Sequence, residues 1–139
     1  MPEYKCPFSM VQASGACGCR NAREVVRRGG SEYDCRDANA HAACSSLVER
    51  LNGAAFPALG HEDDLTLTPR SVYERIMLGG LLGLRMSLDP GDIAPETRDI
   101  HAVVEKLQSR YDSIPDIPAA EFLGAIEKFQ HKKRRRKSR

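Results

Sequence analysis

A mainly α-helical fold, with an N-terminal cysteine-rich, loop-rich lobe that binds a metal or cluster, is predicted by three observations. Apolar residues recur at three- and four-residue spacing through most of the chain after residue 37, no stretch alternates convincingly enough for a strand of useful length, and all five cysteines fall in the first 44 positions. Residues 1–52 are read as the lobe, 53–130 as a helical body and 131–139 as a basic tail. With 139 residues, 41% apolar and 29% charged, the chain has the composition of a globular protein and the length for one modest core.

Pro7, Gly15, Gly18 and the Gly29-Gly30 pair interrupt the lobe, with a short helix expected over Asn21 to Arg28 and an extended Glu32 to Cys35 after it. From Asp37, the side chains of Cys44, Leu47, Val48 and Leu51 share one helical face, which turns Cys44 inward, and Gly53 is placed to stop that helix. A second helix starts near Thr68, whose hydroxyl can cap it, with Pro69 at the first helical position and Val72, Ile76 and Leu78 facing inward. Gly79, Gly80 and Gly83 are expected to end it, since each internal glycine costs roughly 1 kcal/mol against alanine; the other reading is that they admit a neighbouring backbone.

A third helix spans about Thr97 to Tyr111, with Ile100, Val103, Val104, Leu107 and Tyr111 as a continuous apolar stripe after the Asp89-Pro90-Gly91 turn. A fourth starts near Pro118, buries Phe122, Leu123, Ile126 and Phe129, and can extend into the tail, where positive charge suits the negative end of the helix dipole.

Cys6, Cys17, Cys19, Cys35 and Cys44 are separated by 10, 1, 15 and 8 residues. An odd number of cysteines with no secretory signal argues for reduced thiols in the cytoplasm rather than a disulfide framework. Thiolate coordination then explains five cysteines in a loop-rich segment, because bound metal substitutes for missing core. Structural zinc is usually held by paired knuckles, and no CxxC occurs here; an iron–sulfur cluster takes its four thiolates from scattered loops. A 4Fe-4S cluster is therefore favoured over zinc. Cys6, Cys19, Cys35 and Cys44 are the preferred ligands, Cys17 is a spare or alternative, and His41, three residues before Cys44 on one helix, is a further candidate. Arg20, Arg23, Arg27 and Arg28 follow Cys19 closely and can offset a cluster's negative charge.

The net charge of +2 conceals a division. Lys132, Lys133, Arg134, Arg135, Arg136, Lys137 and Arg139 put +7 on the last nine residues, and the other 130 carry 14 basic and 19 acidic side chains. Such a tail suits an acidic protein or a nucleic acid through phosphate contacts. His61-Glu62-Asp63-Asp64 reads as a solvated acidic loop, and the longest apolar run, Ile76 to Leu84, is too short to span a membrane. Nucleophile elbows, phosphate loops and dinucleotide fingerprints are missing, so no catalytic residue is assigned.

The expected function is non-catalytic: electron transfer or redox sensing as an accessory to a larger redox protein. The alternative is a structural zinc module acting in nucleic-acid binding or assembly through its tail. An enzyme using the cluster as a Lewis acid, with His41 and Asp34 or Asp37 as acid or base, is the third possibility.

Overall fold

A computed structural model of the chain describes residues 4–28, 30–61, 68–92 and 97–129. Among them run β1 (Tyr4–Lys5), α1 (Ser9–Ala13), β2 (Ala22–Arg27), β3 (Gly30–Cys35), α2 (Ala38–Leu59), α3 (Arg70–Leu88) and α4 (Ile100–Arg110), then 3-10 turns at Ile114–Asp116 and Ala119–Glu121 and finally α5 (Leu123–Lys128). The fold is mostly helical, as predicted, and adds a three-stranded antiparallel sheet of order β1-β3-β2.

That sheet corrects the reading of the lobe. Strand β2 occupies the segment expected to be helical, and Arg27 pairs with Gly30, so only two residues join β2 to β3. Gly30, at φ 111°, adopts a backbone conformation that favours glycine and closes a hairpin instead of stopping a helix. Val25 and Val26 fit either periodicity. Their strand state depends on pairing with β3, and Val26 remains 79% exposed on it.

Helix α2 begins as expected, with the Asp37 carboxylate accepting from the Asn39 and Ala40 backbone N–H groups. It does not stop at Gly53. It continues to Leu59 and ends on Gly60, whose left-handed backbone (φ 73°) lets its N–H reach the Phe56 and Pro57 carbonyls. Beyond Gly53 it buries Ala55 and Phe56, and the Phe56 ring meets Tyr73 edge-on at 5.3 Å; this burial outweighs the local cost of glycine. The expected boundary at residues 52 and 53 thus lies inside one helix, and the main core takes Phe8, Val11 and Cys44 from one side and Ile76, Leu84, Val104 and Ile126 from the other.

Helix α3 likewise runs through Gly79, Gly80 and Gly83. A Cβ at Gly79 would stand 2.8 Å from the Ile126 Cα, one at Gly83 would stand 2.8 Å from the Ala125 Cβ, and one at Gly80 would meet the Leu51 methyls at 2.8 Å. These glycines admit α5 and Leu51 against the α3 backbone, and the contact offsets their poor helix propensity. Arg75 secures the same crossing by donating to the Ile126 and Glu127 carbonyls. The third predicted helix is α4. The fourth is shortened to a 3-10 turn and α5, with Phe122 and Ile126 fully buried. Residues 131–139 and the acidic Glu62-Asp63-Asp64 lie outside the described residues. Among the described residues no helix is long and apolar enough to cross a membrane.

Two glycine substitutions should separate packing from propensity. Gly83→Ala should destabilise by about 1–2 kcal/mol net, because overpacking against α5 exceeds the gain in helix propensity. Gly53→Ala, whose Cβ would meet nothing within 4 Å, should stabilise by up to about 1 kcal/mol. Urea unfolding of both variants checks this, and shifts of the same sign would contradict the packing account.

Candidate metal centre

The register of the sheet places three of the cysteines. Cys35 ends β3, opposite Tyr4 on one side and Ala22 on the other. Cys6 follows β1 and donates its backbone N–H to the Tyr33 carbonyl. Cys19 lies just before β2, where its carbonyl accepts from the Ala22 N–H. The chain leaves Cys35 through Asp37, which caps α2, and the inward face of that helix supplies Cys44.

All five cysteines are thiols. Cys6, Cys35 and Cys44 are buried, while Cys17 and Cys19 are partly buried against the core. Charge on Cys19 or Cys35 raises Cys6, charge on Cys35 raises Cys19, and charge on Cys6, Cys19 or Cys35 raises Cys44. Every pair among these four thiols is therefore within electrostatic reach. Among the described residues, no group of three or more Cys, His, Asp or Glu side chains could hold a metal ion.

Burial pushes Cys6 up to about 11 and Cys44 up to about 12 from an ordinary 9.0, with the neighbouring thiols adding to the rise. Hydrogen bonds oppose this at two of the sulfurs. The Phe8 backbone N–H and the Gln12 side chain favour charge on Cys6, with Gln12 Nε2 3.0 Å from Sγ. Cys19 is raised by burial, and the backbone N–H groups of Asn21 and His101 pull it the other way. His101 lies in the first turn of α4, so the positive end of that helix dipole is directed at Cys19. The Cys35 Sγ instead donates to the Asp37 carbonyl at 3.3 Å.

Gly18 fixes the Cys19 loop to the helical body. Its N–H donates to the Thr97 carbonyl at 3.0 Å, and its carbonyl accepts from Ile100 at 2.9 Å. A Cβ at Gly18 would stand 2.9 Å from the Arg98 carbonyl oxygen, so glycine is required there for space and not for an unusual dihedral. Arg20 strengthens this junction through a 2.7 Å ion pair with Asp99 and a longer one, at 3.8 Å, to Glu105. Burial raises Asp99, but the Arg20 hydrogen bonds and charge, with the His101 N–H, outweigh it and hold the carboxyl below its ordinary value. Cys17 forms an isolated bridge with Thr97.

His41 is directed toward β1, with Nε2 3.2 Å from the Lys5 carbonyl and its ring 5.0 Å from that of Tyr4. Asp37 is occupied in capping α2. Arg20 is near enough to Cys19 to feel its charge, although Asp99 is the larger influence. Arg23 and Arg28 are exposed. Gln12, Asp99 and the docking of Gly18 on Arg98 carry no recognisable sequence signal at the cysteines; Asp99, inside the helix expected from about Thr97, is in fact its N-cap. A cleft of about 360 Å³, lined in part by Lys5, Ser9, Met10, Glu32 and Arg70, reaches Cys6. No known protein family, curated protein or solved structure matches this chain.

The raised thiols should make the protein sensitive to alkali. Folded Cys6 and Cys44 hold their protons more tightly than the ordinary 9.0, so their contribution is complete below about pH 9 and lost as pH rises through about 11 to 12. The urea midpoint of metal-free protein should fall across that window, and Cys44→Ala should flatten the fall. A midpoint whose pH dependence is unchanged by Cys44→Ala would show that this thiol is not the group responsible.

Proposed function

We propose that Cys6, Cys19, Cys35 and Cys44 ligate one iron–sulfur cluster, with 4Fe-4S as the favoured type, and that the protein transfers electrons or senses redox state for a larger redox partner. What supports this reading is that four thiols carried by separate segments of the chain raise one another's pKa values, so that charge on one is felt at the others. A tetrahedral zinc with Zn–S bonds of about 2.3 Å needs sulfurs only about 3.8 Å apart. A cluster gives each thiolate its own iron and accommodates ligands spread more widely.

The surrounding groups fit such a centre. Four N–H donors directed at Cys6 and Cys19 suit sulfurs that have lost their protons, and they offset the charge of a thiolate-ligated core. Buried thiols with raised pKa values are costly to ionise alone, and iron supplies the positive charge that makes ionisation favourable. Binding therefore releases protons and tightens as pH rises toward 9. When bound, the cluster supplies a one-electron couple, and the protein sets its potential through burial and hydrogen bonds to sulfur.

Anaerobically purified protein should be brown, absorb near about 400 nm through thiolate-to-iron charge transfer, and contain iron and sulfide. Cys6→Ser, Cys19→Ser, Cys35→Ser and Cys44→Ser should each lose most of the iron, whereas Cys17→Ser should retain it. Colourless protein with one equivalent of zinc would overturn the cluster. The reading would then pass to a structural zinc module, with Lys132 to Arg139 as its contact for nucleic acid or an acidic protein.

A further inference from the structure

Strand β2 is an edge of the sheet, because the order β1-β3-β2 leaves its far side without a paired strand among the described residues. Which backbone groups face that edge follows from the bonds at its start. The Arg36 N–H donates to the Asn21 carbonyl at 3.0 Å, so Asn21 directs its backbone toward the β3 side. Alternation along an antiparallel ladder then turns Ala22, Glu24 and Val26 outward. At Ala22 the outward carbonyl accepts from Arg36 Nη2 at 3.3 Å. The outward N–H and C=O groups of Glu24 and Val26 have no such partner among the described residues. The side chains are open as well: Arg23, Glu24 and Arg28 are exposed, and Val26 is 79% exposed.

A row of unbonded backbone groups is a template for another strand, and charge on the edge usually discourages pairing. On β2 the charges instead complement each other about Val26. Glu24 stands two residues before it and Arg28, in the turn to β3, two residues after. If two copies of β2 run antiparallel with Val26 opposite Val26, Glu24 of each copy faces Arg28 of the other. All three residues lie on one face of the strand, as its two-residue period requires. A slip of two residues sets Glu24 against Val26 or Gly30 and loses both ion pairs, so charge selects one register. That register also brings the outward N–H and C=O groups of the two Val26 residues together and joins their methyl groups out of water.

We propose that β2 is a homodimerisation edge, taking a second copy of this chain in antiparallel register through Val26 with a Glu24–Arg28 ion pair on either side. The two sheets become one of order β1-β3-β2-β2-β3-β1. Each copy offers the same patch, so the contact closes at two chains. No cysteine takes part in it. Edge pairing of this length is smaller than a standard interface, so dimer and monomer exchange.

Sedimentation velocity of the full-length chain in reducing buffer, in a series reaching millimolar concentration, should show a monomer–dimer equilibrium. Glu24→Arg and Arg28→Glu each set like charges opposite one another at both pairs, and each should weaken dimerisation by about tenfold. The double variant Glu24→Arg/Arg28→Glu exchanges the signs and should restore the wild-type equilibrium. Mixing the two single variants should give a heterodimer, since each then meets its complement. Wild-type protein that stays monomeric throughout overturns the proposal. So does a dimer that neither single variant weakens, or a double variant no better than the singles. If a charge variant fails to fold, the wild-type chain decides by amide hydrogen exchange: Val26 should be protected increasingly with concentration, and protection independent of concentration overturns the edge contact.

Discussion

Strand β3 is hydrogen-bonded along both edges, and the cysteine arrangement depends on that. Tyr4 and Ala22 both face Cys35 across the sheet, so the chain just after β1 and the loop just before β2 are drawn toward the same end of β3. Cys6 and Cys19 lie within three residues of those pairing positions. Asp37 then starts α2 two residues beyond Cys35, and its inward face carries Cys44. A shift of one residue in either pairing would reverse side-chain directions along a strand and separate the thiols.

The thiols sit in an environment that opposes their ionisation. Burial and mutual repulsion raise Cys6 and Cys44 strongly, and the backbone and amide donors reach Cys6 and Cys19. The thiols thus differ: hydrogen bonds partly offset the rise at Cys6 and Cys19, whereas the Cys35 thiol donates to the Asp37 carbonyl and Cys44 faces core.

The helical body contributes to the centre as well as supporting it. Gly18 docks on the Thr97–Ile100 segment, Asp99 both caps α4 and holds Arg20, and the first turn of α4 directs an N–H at Cys19. α4 in turn packs into the core that α3 builds with α2 and α5 across its glycines. The lobe is therefore not a loop-rich appendage lacking a core. Phe8, Val11 and Cys44 belong to the same apolar cluster as Leu84, Val104 and Ile126.

Residues acting through short-range periodicity were legible in the sequence. The apolar stripe of α4, the Asp37 start of α2, the inward direction of Cys44 and the mainly helical class all follow from three- and four-residue spacing, which is a local property of the chain. The crowding of all five cysteines into the first 44 positions is legible in the sequence too, and the structure buries Cys6, Cys35 and Cys44. Elements that depend on distant partners were not. β2 is a strand because β3 lies beside it, the glycines of α3 stay helical because α5 and Leu51 fill the space they leave, and Gly18 must be glycine because Arg98 lies against it, 80 residues away. Gln12 likewise acquires its relation to Cys6 only through the packing of α1 on β3. Sequence by itself determined which residues could carry the chemistry; tertiary structure decided which of them meet, because burial, close approach and hydrogen bonding to sulfur are set by neighbours that no local pattern records.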